Sequence, residues 1–425
     1  MARPEPERLF GRVVYLGEIK VGVNQIAGMP SLARDTATMQ EQWRRKPEAL
    51  TAECPPKLAE PSDGLARRMS HIGGALAPPR RIIPGGPAPN AGCLGRLAMR
   101  RFTVLFAALL WVALPYGAAA ASPHVGVVRN FGPNLEATCH NPEGIAVDPQ
   151  GNVYASSFAF GSSANICVLD RTGALVDTIT VTPGPAGDVA LIGMLYEQSQ
   201  GLYVLDFGNS VNSRVLLIDT TTHAYRVLAD DLGATNALAQ DRQKNLYVSD
   251  SFGGRIWKIT PDGTKAVWAA DPKLATTGFP PFGANGVAFD RDETALYVAN
   301  TGDDRVLRIP VNADDSAGAV SVFADGTALG GKLNGADGIA FDAQGNLWVC
   351  ANQANEIDVL APDGSFVTSY AGTGADAFHF PASLVFKGRE LFVSNLAFTP
   401  SLTPDGVNSK VSVLTAPIAG APLRP

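Results

Sequence analysis

The chain has 425 residues, 46% hydrophobic and 17% charged, with a formal net charge of −6. That balance excludes a general nucleic-acid binder, which needs a basic face to displace counterions, and five cysteines exclude a disulfide-rich scaffold or a zinc-ribbon array. Gly 44 and Pro 31 point away from a helical protein and towards short strands joined by turns.

Charge divides the chain. Residues 1–121 hold 16 Lys/Arg against 9 Asp/Glu, net +7, and residues 122–425 hold 18 against 31, net −13. Residues 1–98 show neither helical nor strand periodicity and are interrupted by clusters such as Pro84-Gly85-Gly86-Pro87, so a disordered leader is expected. At Met99 the character changes. Arg100-Arg101, the apolar run Phe102–Leu114 and the small residues Ala119-Ala120-Ala121 have the three-part layout of a signal peptide over 99–121. The expectation is that translation begins at Met99, that 1–98 is mis-assigned upstream sequence, and that the mature protein, 122–425, is periplasmic or secreted. The alternative is a genuine leader with 102–121 retained as an anchor, since 20 residues can just span a bilayer. The protein would then be membrane-anchored, with its folded part outside the cytoplasm.

From residue 122 onward one unit repeats. Glu143-Gly144-Ile145-Ala146-Val147-Asp148 leads through a tight turn into Val153-Tyr154-Ala155-Ser156-Ser157. The same grammar returns at Asn236–Asp241, Asn285–Asp290 and Asp337–Asp342, with weaker copies at Ile192 and Pro381. Starting positions 143, 192, 236, 285, 337 and 381 are 44–52 residues apart. Such a period of short strands predicts a propeller. Third strands follow, as at Arg255–Ile259 and Arg305–Ile309, and Asp262-Gly263 and Asp363-Gly364 supply hairpin turns. The fold class is therefore all-β, a six-bladed β-propeller preceded by the leader and signal peptide. The last unit stops after its third strand, Val411–Leu414. Val125–Val128 is expected to supply the missing fourth, because radial closure leaves no long exposed edge.

Inner strands line a propeller's channel, so equivalent positions form a ring: Glu143, Ile192, Asn236, Asn285, Asp337 and Pro381. Four carry oxygen-bearing side chains and none is His or Cys. This is the donor chemistry of a hard divalent cation, calcium first. The same residues also suit the turns that precede strands. His140 and His379 precede inner strands and could move protons if their loops reach the channel mouth. Tyr154, Tyr203, Tyr247, Tyr297 and Trp348 recur at one place and read as packing between blades, while Asp206 and Asp250 read as turn formers. Cys139 and Cys167 could pair in an oxidising compartment.

These residues resemble the regucalcin–gluconolactonase (lactonohydrolase) family of six-bladed propellers, most specifically over Ala336–Val349. The resemblance implies that Glu143, Asn285 and Asp337 hold a divalent cation and that Asn236 approaches the substrate. Two positions depart from it. Ala234 and Ala237 stand where the family's sugar-lactone hydrolases usually carry Arg and Asp. Asn141–Asp148 equally resembles NHL-type propellers, many of which only bind partners.

The expected function is an exported, metal-dependent hydrolase of a lactone or related cyclic ester, with Asp337 as the catalytic base and a small-molecule substrate. The alternative is a non-catalytic NHL-like propeller that binds a ligand or protein partner at its mouth. An alkaloid-condensing enzyme of the strictosidine-synthase type shares the fold but needs no cation quartet. No nucleic-acid partner is expected, and a membrane partner only if 102–121 persists as an anchor.

Overall fold

The computed structural model describes residues 125–184 and 187–422. The leader and signal-peptide expectations lie outside the described residues. Among those residues, 24 strands form six four-stranded antiparallel sheets, one per repeat, and helix is confined to three single 3-10 turns. No described helix is long and apolar enough to cross a membrane. The six-bladed propeller is as expected.

The inner strands are Pro142–Val147, Leu191–Glu197, Thr235–Gln240, Ala284–Phe289, Ala336–Phe341 and Pro381–Lys387. Blade six is closed by the first strand, Val128–Phe131, which pairs with Lys410–Thr415. The clasp was expected at Val125–Val128 and lies three residues later. Gly126, at φ 78°, breaks the extended run, and Val125 keeps only an isolated bridge to Thr415. Past that break Val128 is buried, and the Phe131 ring meets Phe392 edge-on at 4.8 Å.

Every inner strand carries a β-bulge at the same place. Pairing with the second strand slips between Pro142 and Ile145, Leu191 and Met194, Thr235 and Leu238, Ala284 and Val287, Ala336 and Ile339, and Pro381 and Leu384. A bulge kinks the strand and re-aims its extra residue. The re-aimed first residues are Glu143, Ile192, Asn236, Asn285, Asp337 and Ala382. The ring's sixth member is therefore Ala382, not Pro381: Pro381 is still in register with Asn395, just as Pro142 is with Ser157.

The second bulge residue sets how closely the blades approach. A Cβ added at Gly144, Gly193, Gly286 or Gly338 would collide with the carbonyl oxygen of Ile192, Asn236, Asp337 or Ala382, the ring residue of the next blade. Only glycine permits that approach. The Ser394 hydroxyl donates to the Glu143 carbonyl and closes the ring between blades six and one.

Farther out, second-strand aromatics pack against the neighbouring inner strand as expected. Tyr247 meets Phe289 at 4.8 Å, Tyr297 meets Phe341 at 5.0 Å, and Trp348 meets Phe386 at 5.5 Å, each ring edge-to-face. The hairpin glycines Gly263 and Gly364 adopt the positive φ that the turns require.

Candidate metal centre

The bulges gather polar side chains at one end of the channel, where they are buried. Glu143 is 5% exposed, Asn285 and Asp337 are 4%, and Asn236 is 7%. One Asp337 oxygen accepts from the Asn352 side-chain amide at 2.9 Å. The Asn285 amide donates to the Thr301 hydroxyl at 2.9 Å, and that hydroxyl donates to the Ala336 carbonyl at 2.7 Å. Blades four and five are thereby tied together beside Asp337.

What remains is a set of oxygens without partners. Glu143 Oε2, Asn285 Oδ1, Asp337 Oδ1, Asn352 Oδ1 and Asn141 Oδ1 are all buried and accept no hydrogen bond within the protein. Each unsatisfied buried acceptor costs roughly 1–3 kcal/mol, and native proteins contain few. Four of them, on Glu143, Asn285, Asp337 and Asn352, are brought together by the Asn352–Asp337 bond, the Asn285–Thr301–Ala336 chain and the repulsion between Asp337 and Glu143, and mark an acceptor-only site that lacks a positive partner.

The electrostatics agree. Burial, followed by repulsion from Asp337, pushes the Glu143 carboxyl well above its ordinary range. Burial pushes Asp337 up to about 7, against the hydrogen bond from Asn352 and the pull of the nearby Asn285 and Gly338 amides. The buried Cys350 thiol, at the second-strand place held by Ser156, Ser249 and Ser394 in other blades, is pushed up by burial and then by both carboxylates. It stays a neutral thiol, so the available donors are oxygens. Among the described residues no group of three or more His, Cys, Asp or Glu could hold a metal. The constellation here has two carboxylates and several amides, so the donor set fits an oxygen-seeking cation such as Ca²⁺.

Each residue singled out in the sequence can now be placed. Glu143, Asn285 and Asp337 occupy equivalent bulges, with free oxygens. Asn236 occupies the same bulge in blade three, and its side chain makes no hydrogen bond among the described residues. His140 is exposed, and His379 is held below its ordinary pKa by burial and then by Lys410. Neither is hydrogen-bonded to the buried carboxylates. Asp206 and Asp250 are turn formers: Asp206 accepts from the Gly208 amide and from Arg214 at 2.7 Å, and Asp250 accepts from the Gly253 amide. Cys139 and Cys167 are bonded, with a Cα–Cα distance of 6.1 Å.

Asn352 and Asn141 were missed. Asn352 follows a second strand, where the other blades carry Phe158, Phe207, Ser251, Thr301 and Leu396, so no repeat pattern flags it. Asn141 is two residues before Glu143, at φ 50°, and resembles a simple turn residue. A shallow depression of about 280 Å³ at the other end of blades three and four, beside Asp241 and Asn312, contains none of the free oxygens.

Fold and site together define a six-bladed propeller with an acidic, amide-lined channel end. Residues 267–396 match the family model described as SMP-30/Gluconolactonase/LRE-like region, which bears out the resemblance to the gluconolactonase family read from the repeats. A second match, Strictosidine synthase-like, N-terminal, spans only residues 135–158. No curated protein matches the sequence.

Among solved structures, the chain is similar to a luciferin-regenerating enzyme, at 16% identity and TM-score 0.52, over 70% of this chain and 99% of that one. It is also similar to a protein provisionally assigned as a gluconolactonase, at 17% identity and TM-score 0.50, over 70% and 94%. A calcium-binding protein, regucalcin, from Agrobacterium tumefaciens matches at 19% identity and TM-score 0.49, over 69% and 95%. At these identities the first two similarities establish the fold alone.

Proposed function

We propose that the protein is a metal-dependent hydrolase of a lactone or related cyclic ester. The observation that carries this reading is the cluster of partnerless buried oxygens on Glu143, Asn285, Asp337 and Asn352, in a chain with an SMP-30/gluconolactonase-like region. Glu143, Asn285 and Asp337 would hold the cation, calcium first. When bound, a divalent cation supplies Lewis-acid polarisation of the ester carbonyl and acidifies water.

The protein's own groups do the rest. Asn352 holds one Asp337 oxygen by its 2.9 Å hydrogen bond and so fixes the orientation of the carboxylate that this reading also takes as general base. Asn236, unengaged on the adjacent blade, has a free amide with which to orient the substrate. The bulges fix these side chains on rigid strands, so little reorganisation is needed during reaction.

The expectation that the mature chain is exported belongs to this reading, and the Cys139–Cys167 bond supports it, because disulfides persist in oxidising compartments.

The test is hydrolysis of a lactone panel by the purified protein with Ca²⁺, Mg²⁺, Mn²⁺ or Zn²⁺. Cation-dependent ring opening is expected, with loss of turnover in Glu143→Gln and Asp337→Asn. Asn236→Ala should keep cation binding and lose turnover. Absence of hydrolysis with all four cations would overturn the enzyme reading and favour a binding propeller.

A further inference from the structure

The residue after each second strand forms a tier next to the ring. Its amide donates in every blade to the residue two places before the ring position: Phe158 to Asn141, Phe207 to Ala190, Ser251 to Ala234, Thr301 to Gly283, Asn352 to Gly335 and Leu396 to Phe380. The tier is two-sided. Blades three, four and five present Ser251, Thr301 and Asn352, whereas blades six, one and two present Leu396, Phe158 and Phe207.

Phenylalanines extend the apolar side into a continuous belt. Phe380 meets Phe398 at 6.1 Å and Phe398 meets Phe158 at 6.3 Å. Phe158 packs on Phe160 at 5.4 Å and on Phe207 at 5.9 Å, and Phe207 meets Phe252 at 6.1 Å. These rings sit beside the bulge ends of blades six, one, two and three, and Phe252 carries the row on to Phe282, before the inner strand of blade four, at 5.4 Å. Phe160 is 53% exposed, and Val211 and Val407, in loops at the same end, are 41% and 62% exposed. In blade three Ala237, beside Asn236, adds no polar side-chain atom, and Ala234 is buried in the core.

We propose that the accessible rings of this belt, Phe158, Phe160, Phe252 and Phe398, backed by the buried Phe207 and Phe380, are the specificity surface of the site, and that the substrate is a lactone or cyclic ester bearing an extended apolar substituent rather than a polyhydroxylated sugar lactone. This rests on the hydrolase reading. The ester carbonyl faces the oxygens of blades one, four and five while the substituent lies on the aromatic side, at blades six, one and two. A sugar lactone would leave its hydroxyls against rings that offer them no partner, and buried unpaired hydroxyls are costly. An alkyl chain gains by leaving water, by about fourfold in affinity for each methylene covered.

The test compares δ-valerolactone, δ-octalactone, δ-dodecalactone and glucono-δ-lactone with saturating Ca²⁺. Hydrolysis is followed by acid release and binding separately by titration calorimetry. For the intact protein kcat/KM and affinity should climb with chain length, and glucono-δ-lactone should be the poorest ligand. Phe160→Ser removes a half-exposed ring and should fold. It should reduce the dodecalactone-to-valerolactone ratio about tenfold. A flat chain-length series, a preference for glucono-δ-lactone, or an unchanged ratio in Phe160→Ser would overturn the proposal. If no lactone is hydrolysed but binding still rises with chain length and weakens in Phe160→Ser, the hydrolase reading fails and the apolar specificity stands.

Discussion

Replacing Asp337 by Asn separates a cation site from a cluster of turn residues. In the wild type, burial raises both Glu143 and Asp337, the latter to about 7, and each is close enough to bear on the other. Unfolded carboxylates titrate near pH 4. The folded state therefore holds protons that the unfolded state has released. The pair's contribution to stability is full below about pH 4 and is lost as pH rises through about 7.

At pH 8 without cation, Asp337→Asn removes a buried carboxylate charge beside Glu143, so the variant should melt above the wild type. At pH 5 that advantage should shrink, because Asp337 is then mostly protonated. Added Ca²⁺ should reverse the order at pH 8. Stabilisation of only the folded state amounts to about 2.7 kcal/mol at a hundred times Kd and about 4.1 kcal/mol at a thousand times. For a domain of roughly 300 residues, an unfolding entropy near 0.6 kcal/mol/K converts this into a rise of about 4–7 °C. The assay is a thermal melt of both proteins at pH 5 and 8, in chelator and in a Ca²⁺ series. Equal melting temperatures throughout, or an Asn variant that is less stable in chelator and equally responsive to Ca²⁺, would refute the reasoning.

Four further outcomes are expected. Deleting residues 122–131 should leave the Lys410–Thr415 strand unpaired and uncover the Val128 and Phe131 contacts, at about 1.5–3 kcal/mol for each side chain; denaturant unfolding and light scattering should show lower stability and aggregation. Gly286→Val should drive its side chain into the Asp337 carbonyl and separate blades four and five, so calorimetry should show reduced Ca²⁺ affinity as well as a lower melting temperature. Paired Cys139→Ser and Cys167→Ser should lower stability by about 3–4 kcal/mol for a loop of separation 28, as measured by urea titration. Expression from Met99 should give an exported protein with its terminus near Ser122, and mass-spectrometric detection of residues 1–98 on the native protein would contradict this.

Much of the architecture was determined by the sequence alone, because its signals are local. Alternating short apolar runs, Asp-Gly turns and a 44–52-residue spacing specify hairpins, and six incomplete sheets must stack radially to bury their faces. Glu143, Asn285 and Asp337 were legible for the same reason, since each opens a repeat. Tertiary structure decided the rest. Whether Pro381 or Ala382 completes the ring depends on a bulge that only strand pairing defines. Asn352 becomes a neighbour of Asp337 because Ala351 pairs with Ala336. The phenylalanine belt draws on loops of several blades, from Phe158 to Phe398, and apart from Phe158 and Phe207, which hold equivalent places, its members have no periodic spacing. Its rings become one surface only when the Val128–Phe131 strand closes the circle, because contacts between distant loops are set by ring closure and leave no pattern in the chain.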